Sequence, residues 1–309
     1  MELTVLKCGP LLTLQGSARH GFRHQGIASS GPADPLSMAL ANRLVSNPLS
    51  ATAVEITFGG AEFEFHQDTV FAFAGAAPGA TLAGSDVPAH ETLLAKRGDI
   101  LAFGHPAVGV RSYLAVAGGF QADDVFGSTS TFLPAGLGGY SGRALKAGDR
   151  LHGLAAAEFP APRSTPRALR PHMPHAHSLR AVAGPDLNCA TDIVWTQTFA
   201  ATTRMDRTGI ELSGPWPFPE NGAQRPSAPL LTGAVQLTPS RTAFVLLPDA
   251  QTTGGYPHIL QVIRADRHLL GQIAAGDRIS FLRRSVDEAY KDLKAKTAYF
   301  SDWLPGFGF

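Results

Sequence analysis

The chain is 309 residues long, 44% hydrophobic and 17% charged, with a net charge of +1. That length allows one large or two ordinary domains, each with its own core. The near-neutral balance gives no electrostatic reason to expect nucleic acid or an anionic membrane as a partner.

Two cysteines, Cys8 and Cys189, are too few for a disulfide framework and lack CxxC or CxxH neighbourhoods. They read as reduced, buried thiols of a cytosolic protein. Met1–Lys7 has neither the basic start nor the apolar core of a signal peptide, and no stretch is apolar for long enough to span a bilayer. The chain is therefore expected to be cytoplasmic.

In chain order, the first helix signal is Asp34-Pro35 before Leu36–Val45. It combines an N-cap, a proline at the first helical position and an apolar stripe. Short apolar runs then read as strands: Val70–Ala74, Ile100–Phe103, Ser112–Val116, Ala243–Leu247 and Arg278–Leu282. Each is rich in β-branched or aromatic residues and bounded by Gly, Pro or Asp. Such spacing points to barrels or sandwiches and away from a doubly wound sheet. A helical turn is expected near Ala265–Leu270, and Ser285-Val-Asp-Glu288 is a capping box opening a helix to about Ala298.

One phrase recurs at Arg97–Phe103, Ala147–His152 and Ala275–Phe281: a Gly-Asp pair followed by an alternating strand. Glycine accepts positive φ and aspartate bonds its own turn, so the pair launches a strand. Its recurrence suggests two related β units. Between them, Ala155–Arg180 carries Pro160, Pro162, Pro166, Pro171 and Pro174, which favours an extended connector. The expected domains are thus 1–165 and 166–309. His172, His175 and His177 in that stretch suit a solvated loop better than a metal site, since their spacing fits no helix face and no carboxylate is near in sequence.

The familiar catalytic signatures are absent: no GxxxxGK[ST], GxSxG or HExxH, and no GxGxxG between strand and helix. Four polar blocks remain. His20–Asp34 ends at a helix N-terminus, where Ser30, Gly31 and the following amides offer an anion nest, with plain capping as the alternative. Ala117–Thr131 places Gly118 and Gly119 just after a strand, allowing close approach of a ligand or marking a bulge. In Thr203–Leu212, Arg204 and Arg207 present planar forks for a carboxylate or phosphate, unless they pair with Asp206 or Glu211. The last block, Leu247–Pro257, packs Asp249, Gln251, Thr252, Thr253, Gly254, Gly255 and Tyr256 behind an apolar strand. Polar loops on rigid strands are where function concentrates, so this block reads as a binding site.

Several of these phrases resemble one family, met as allophanate hydrolase subunit two, as biotin-dependent carboxyltransferase and as the C-type subunit of 5-oxoprolinase. The resemblance runs through Ser30–Leu36, Ala41–Val45 and Glu55–Gly60, then Tyr113–Phe120, Gly127-Ser128 and Gly142–Asp149. It closes with Asp249–Pro257, Gln261–Asp266 and Gly276–Ile279. It implies a mainly β chain of two cyclophilin-like β-barrel domains with a few short helices. It also implies a subunit of an ATP-dependent 5-oxoprolinase, a lactam hydrolase inactive without its partners, converting 5-oxoproline to L-glutamate. The partners implied are an allophanate hydrolase subunit one-type protein (the B-type subunit of 5-oxoprolinase) and an A-type 5-oxoprolinase subunit. ATP belongs to the complex, whether or not this chain contacts it.

The alternatives are a biotin-dependent carboxyltransferase working on urea or a related amide, and a non-enzymatic regulator of a kinase-inhibitor-like partner. No biotin-attachment lysine motif is present. On the same resemblance the ligand site would gather Ser30, Gly31, Asp34, Gly118, Gly119 and Arg207 with Gln251 to Tyr256, without a metal. Two positions depart from the family pattern: Thr129 and Glu211 stand where arginines are frequent.

Overall fold

The computed structural model describes residues 1–76, 79–154, 161–189, 192–217 and 225–309. The chain forms two compact units. The first comprises 1–20, 30–173 and 300–307; the second comprises 21–29, 174–299 and 308–309.

In the first unit, β1 (Glu2–Cys8), β2 (Leu11–Gln15) and α1 (Pro35–Leu44) precede β3 (Ala53–Thr57), β4 (Ala61–Phe65) and β5 (Thr69–Gly75). Then follow β6 (Ala80–Leu82), β7 (Ser85–Val87), β8 (Leu93–Ala95), β9 (Ile100–Phe103), β10 (Arg111–Val116) and β11 (Arg150–His152). They make a six-stranded sheet, β11-β1-β4-β9-β6-β7, and a five-stranded one, β2-β3-β10-β5-β8. Leu3, Phe63, Phe71, Phe73, Leu101 and Leu114 belong to one buried cluster. Each such side chain stabilises the fold by roughly 1.5–3 kcal/mol relative to exposure. Every residue of β3, β5 and β10 is buried, and α1 packs on β5 and β10. The α1 signals act as expected: Pro35 occupies the first turn and the Asp34 carboxylate accepts the Ser37 amide at 3.0 Å.

The second unit holds β12 (Ala176–Ala183), β13 (Thr198–Met205), β14 (Gly209–Ser213), β15 (Ala228–Pro229), β16 (Ala234–Leu237) and β17 (Ala243–Leu246). It continues with β18 (Thr253–Gly254), β19 (His258–Val262), β20 (Arg278–Arg283) and α2 (Val286–Phe300). Seven of these strands close a barrel in the order β12-β19-β16-β17-β14-β13-β20. Closure comes from the parallel pair β12–β20, running from Ala176 opposite Arg278 to Ala181 opposite Arg283. Closing a sheet removes its unpaired edges. The chain is mainly β, as the sequence implied, and the five strands read from it lie within β5, β9, β10, β17 (one residue overrunning) and β20. The Ser285–Glu288 capping box is formed reciprocally, with bonds of 2.8–3.2 Å.

The recurring Gly-Asp phrase is one turn used three times. Gly98, Gly148 and Gly276 have φ of +89°, +90° and +89°. The following carboxylate accepts the amide of the residue three before it, at 2.7, 2.7 and 2.8 Å.

The histidine reading needs correction. Met173 and its neighbours do connect the units, but β12 already begins at Ala176. His177 is buried, and its Nε2 lies 3.1 Å from Asp277, whose other oxygen meets His175 Nδ1 at 3.0 Å. The carboxylate lies a hundred residues away in sequence, which local spacing does not reveal. Among the described residues no group of three or more side chains is arranged to hold a metal. Part of the proline-rich stretch, 155–160, lies outside the described residues. Cys8 is a free, half-buried thiol, pushed up in pKa by burial and then by Asp149.

Candidate functional site

In the second unit, the turn between β13 and β14 is shaped by Asp206, whose Oδ1 accepts the Thr208 amide at 2.6 Å and its hydroxyl at 2.5 Å. This Asx arrangement projects Arg207, which is buried. Its Nε and Nη2 grip the Asp249 carboxylate at 2.8 and 3.1 Å. Main-chain bonds reinforce the junction: the Asp249 amide donates to Arg207 O (3.0 Å) and the Leu247 amide to Thr208 O (2.9 Å). Arg207, expected to hold a ligand, therefore holds the start of the 249–257 segment. Its partner is neither Asp206 nor Glu211, the two weighed from sequence. Arg204 does pair with Glu211, at 2.7 Å.

Glu211 is buried and also accepts from Thr202 (2.9 Å) and Thr242 (3.1 Å). Glu211 is thus the hub of a local polar network.

Beyond Asp249 the segment is pinned along its length. Thr252 O accepts the Leu230 amide at 2.9 Å, and Thr253–Gly254 pairs antiparallel with Ala228–Pro229. Gly255 O accepts from Arg225 N (2.8 Å) and Tyr256 O from Gln236 Nε2 (2.9 Å). Space is tight at both glycines: a Cβ at Gly255 would come within 2.8 Å of the main-chain Arg225 O, and one at Gly254 within 2.6 Å of Leu230 Cδ1, a side-chain end that would have to move.

The pinned segment forms one wall of a cleft of about 480 Å³. Gln251 and Tyr256 line it together with Arg204, Thr208, Gln236 and Phe244. Both Gln251 and Tyr256 are exposed, and the Arg204 guanidinium lies 5.5 Å from the Phe244 ring centre. The lining combines apolar surface with amide and hydroxyl groups and, among the described residues, one cation, the mix that small-molecule pockets use. Gln236 and Phe244 were missed in the sequence. The signal available was a glutamine inside the apolar run Ala234–Leu237 and a bulky residue at alternating register in β17.

The first-unit candidates are used internally. Ser30 (φ 51°) donates to Thr131 O at 2.9 Å. Gly31 has φ 93°, and a Cβ would meet Ala18 at 3.1 Å. Two of the amides expected to form an anion nest are occupied: Ala33 N donates to Glu55 Oε2 (2.9 Å) and Asp34 N to the Tyr113 hydroxyl (2.8 Å). Tyr113 donates in turn to Glu55 Oε2 at 2.7 Å, with Arg111 3.5 Å from Oε1. Burial first, then the Glu55 charge, drives the Tyr113 pKa well up, so the phenol stays protonated. Gly118 and Gly119, both at positive φ, make the turn after β10, with the Gly118 amide bonded to Asn47 Oδ1 at 2.8 Å. Thr129 bonds Thr52 at 2.7 Å and fills the space over Gly16.

Residues 25–283 match the carboxyltransferase domain, subdomains A and B. The chain is 37% identical over 303 residues to a protein of Escherichia coli named as the C subunit of 5-oxoprolinase, covering 96% of each. It is 32% identical to the Haemophilus influenzae protein of the same name, covering 94% of each. Against the urea amidolyase of Saccharomyces cerevisiae identity is 30%, over 88% of this chain but 16% of that protein. The crystal structure of the K. lactis urea carboxylase overlays all of this chain with a TM-score of 0.89 at 28% identity, over 30% of its own length.

Proposed function

Because the chain belongs to the carboxyltransferase domain A and B family, we propose that it works as one subunit of an ATP-dependent 5-oxoprolinase, opening the lactam of 5-oxoproline to L-glutamate. The end-to-end match to the C subunits of two 5-oxoprolinases carries this reading. The urea amidolyase match, by contrast, accounts for a small part of that enzyme. The partners would be an allophanate hydrolase subunit one-type protein (the B-type subunit) and an A-type subunit, and the chain alone would be inactive.

The cleft suits a five-membered lactam bearing a carboxylate. Phe244 would cover the ring face, Gln251 and Tyr256 would bond the amide, and Arg204 would attract the carboxylate beyond its own Glu211 pair. Thr252, Thr253, Gly254 and Gly255 would position that wall, with Arg207 acting through Asp249. The resonance-stabilised amide resists opening, and ATP would supply the driving force within the complex. A single arginine among the cleft's described lining residues, partly neutralised by Glu211, suits one carboxylate better than a triphosphate.

Full overlay on urea carboxylase favours a second reading, biotin-dependent carboxyl transfer to urea or a related amide. The test reconstitutes the chain with both partner-type proteins and supplies 5-oxoproline and urea separately. Glutamate formation with 5-oxoproline supports the first reading. Turnover of urea that requires a biotinylated protein would replace it with the second, and a tight complex inert toward both would leave only a regulatory role.

A further inference from the structure

Gln236 interrupts an apolar strand. On β16 its neighbours Val235 and Leu237 belong to the buried cluster of the second unit, so Gln236 faces the other side of the sheet. There it stands opposite Phe244 of β17, and both residues line the cleft. Gln236 is nevertheless only 2% exposed. A buried side-chain amide brings two donors and an acceptor, and leaving them unmet is costly.

The amide is held in one orientation. Its Nε2 donates to the main-chain oxygen of Tyr256 at 2.9 Å; a carbonyl only accepts, so the nitrogen and oxygen of Gln236 do not exchange places. The chain beyond Tyr256 is fixed in turn, with the Leu237 amide donating to Pro257 O at 3.0 Å. Oε1 is therefore fixed as well, and among the described residues it accepts no hydrogen bond. Gly254 lies over the same group: a Cβ there would stand 3.1 Å from Nε2 and 3.3 Å from Oε1. The missing side chain keeps the oxygen uncovered. Elsewhere in the lining, the hydroxyls of Thr208, Thr238, Ser240 and Tyr256 rotate to donate or accept, and the Arg204 guanidinium only donates.

We infer that Gln236 is the specificity-determining residue of the cleft, its Oε1 accepting the N–H of a substrate amide and so selecting amides over the corresponding esters. Gln251 and Tyr256 are then left to donate to the amide oxygen. An ester oxygen in place of the N–H sets lone pairs against Oε1 with no hydrogen between them, and the buried acceptor stays unmet. The inference rests on the amide-substrate reading above, in either its lactam or its urea form.

The test is calorimetric titration of the complex reconstituted with both partner-type proteins, without ATP. Three ligands are used: 5-oxoproline, the lactone that carries oxygen in place of its N–H, and urea. The wild type is expected to bind the lactam at least about tenfold more tightly than the lactone. In Gln236→Leu, which has no acceptor, that preference should shrink to about twofold or less. Gln236→Glu keeps an acceptor oxygen but loses the donor to Tyr256 O; it should weaken both ring ligands and retain the preference. A purely structural role would instead weaken lactam and lactone together in both variants. A preference absent from the wild type, or intact in Gln236→Leu, overturns the inference and leaves the 5-oxoprolinase reading standing. Urea binding that is lost in Gln236→Leu, with no binding of 5-oxoproline, removes that reading and upholds the inference. No saturable binding of either amide overturns both. Should Gln236→Leu fail to fold, Gln236→Glu decides, since loss of the preference there overturns the inference.

Discussion

Arg207 and Asp249 make the sharpest statement about single residues. Both are buried and joined by two hydrogen bonds, so removing the Asp249 carboxylate breaks a buried ion pair. Asp249→Ala is expected to destabilise the second unit by about 3–5 kcal/mol, read as a shift in the urea midpoint. Arg207→Met with Asp249→Leu should recover much of that loss. His90 of the first unit gives a pH signature. It is buried, its Nδ1 has no hydrogen-bond partner, and burial followed by the Arg170 charge lowers its pKa to about 4. An unfolded chain takes up a proton near pH 6.5 that the native state refuses until about pH 4. Stability from this group is therefore full above 6.5 and lost as pH falls through that window, by about 3 kcal/mol at most. His90 has φ 63°, which asparagine tolerates. His90→Asn should show a flatter stability profile between pH 7 and 4 in chemical denaturation; parallel profiles would contradict the assignment. The pairing of Arg204 with Glu211 was among the readings the sequence offered. Arg207 with Asp249 was not, because 42 residues separate them and only barrel closure brings the turns together.

At the scale of elements, local signals were the legible ones. The Asp34 cap, the Ser285–Glu288 box and the Gly-Asp turns are each written within a few residues, and each forms. Gly98, Gly148 and Gly276 share one backbone conformation, and a Cβ at any of them meets nothing within 4 Å. Alanine at each should thus cost only the backbone strain, about 1–2 kcal/mol, and nearly the same amount at all three. Unequal losses in thermal denaturation would show that the turns are not equivalent. Gly254 contrasts with them, since a Cβ there meets Leu230 and Gln236; its substitution should disturb the cleft wall as well. What stayed hidden at this scale was partnership. The 30–34 amides looked available for an anion, yet Glu55 and Tyr113, from β3 and β10, occupy two of them. No local pattern in the sequence announces such a contact.

For the whole molecule, the family and the mainly β architecture were legible because specific phrases recur in order along nearly the entire chain. The six- and five-stranded sheets of the first unit were not, since strand order is set by long-range pairing that short apolar runs leave open. Function belongs to this scale too: on the proposed reading the cleft lined by Gln251, Tyr256, Arg204 and Phe244 would hold the ligand, while opening a lactam with ATP would be the work of a complex. The most direct measurement is 5-oxoproline-dependent ATP hydrolysis, with glutamate quantified, by the chain reconstituted with its two partner-type proteins. The account predicts turnover that disappears when this chain is omitted and falls roughly tenfold in Gln251→Ala. Absence of 5-oxoproline-dependent turnover in the wild-type complex, or turnover indifferent to omitting this chain, would contradict it.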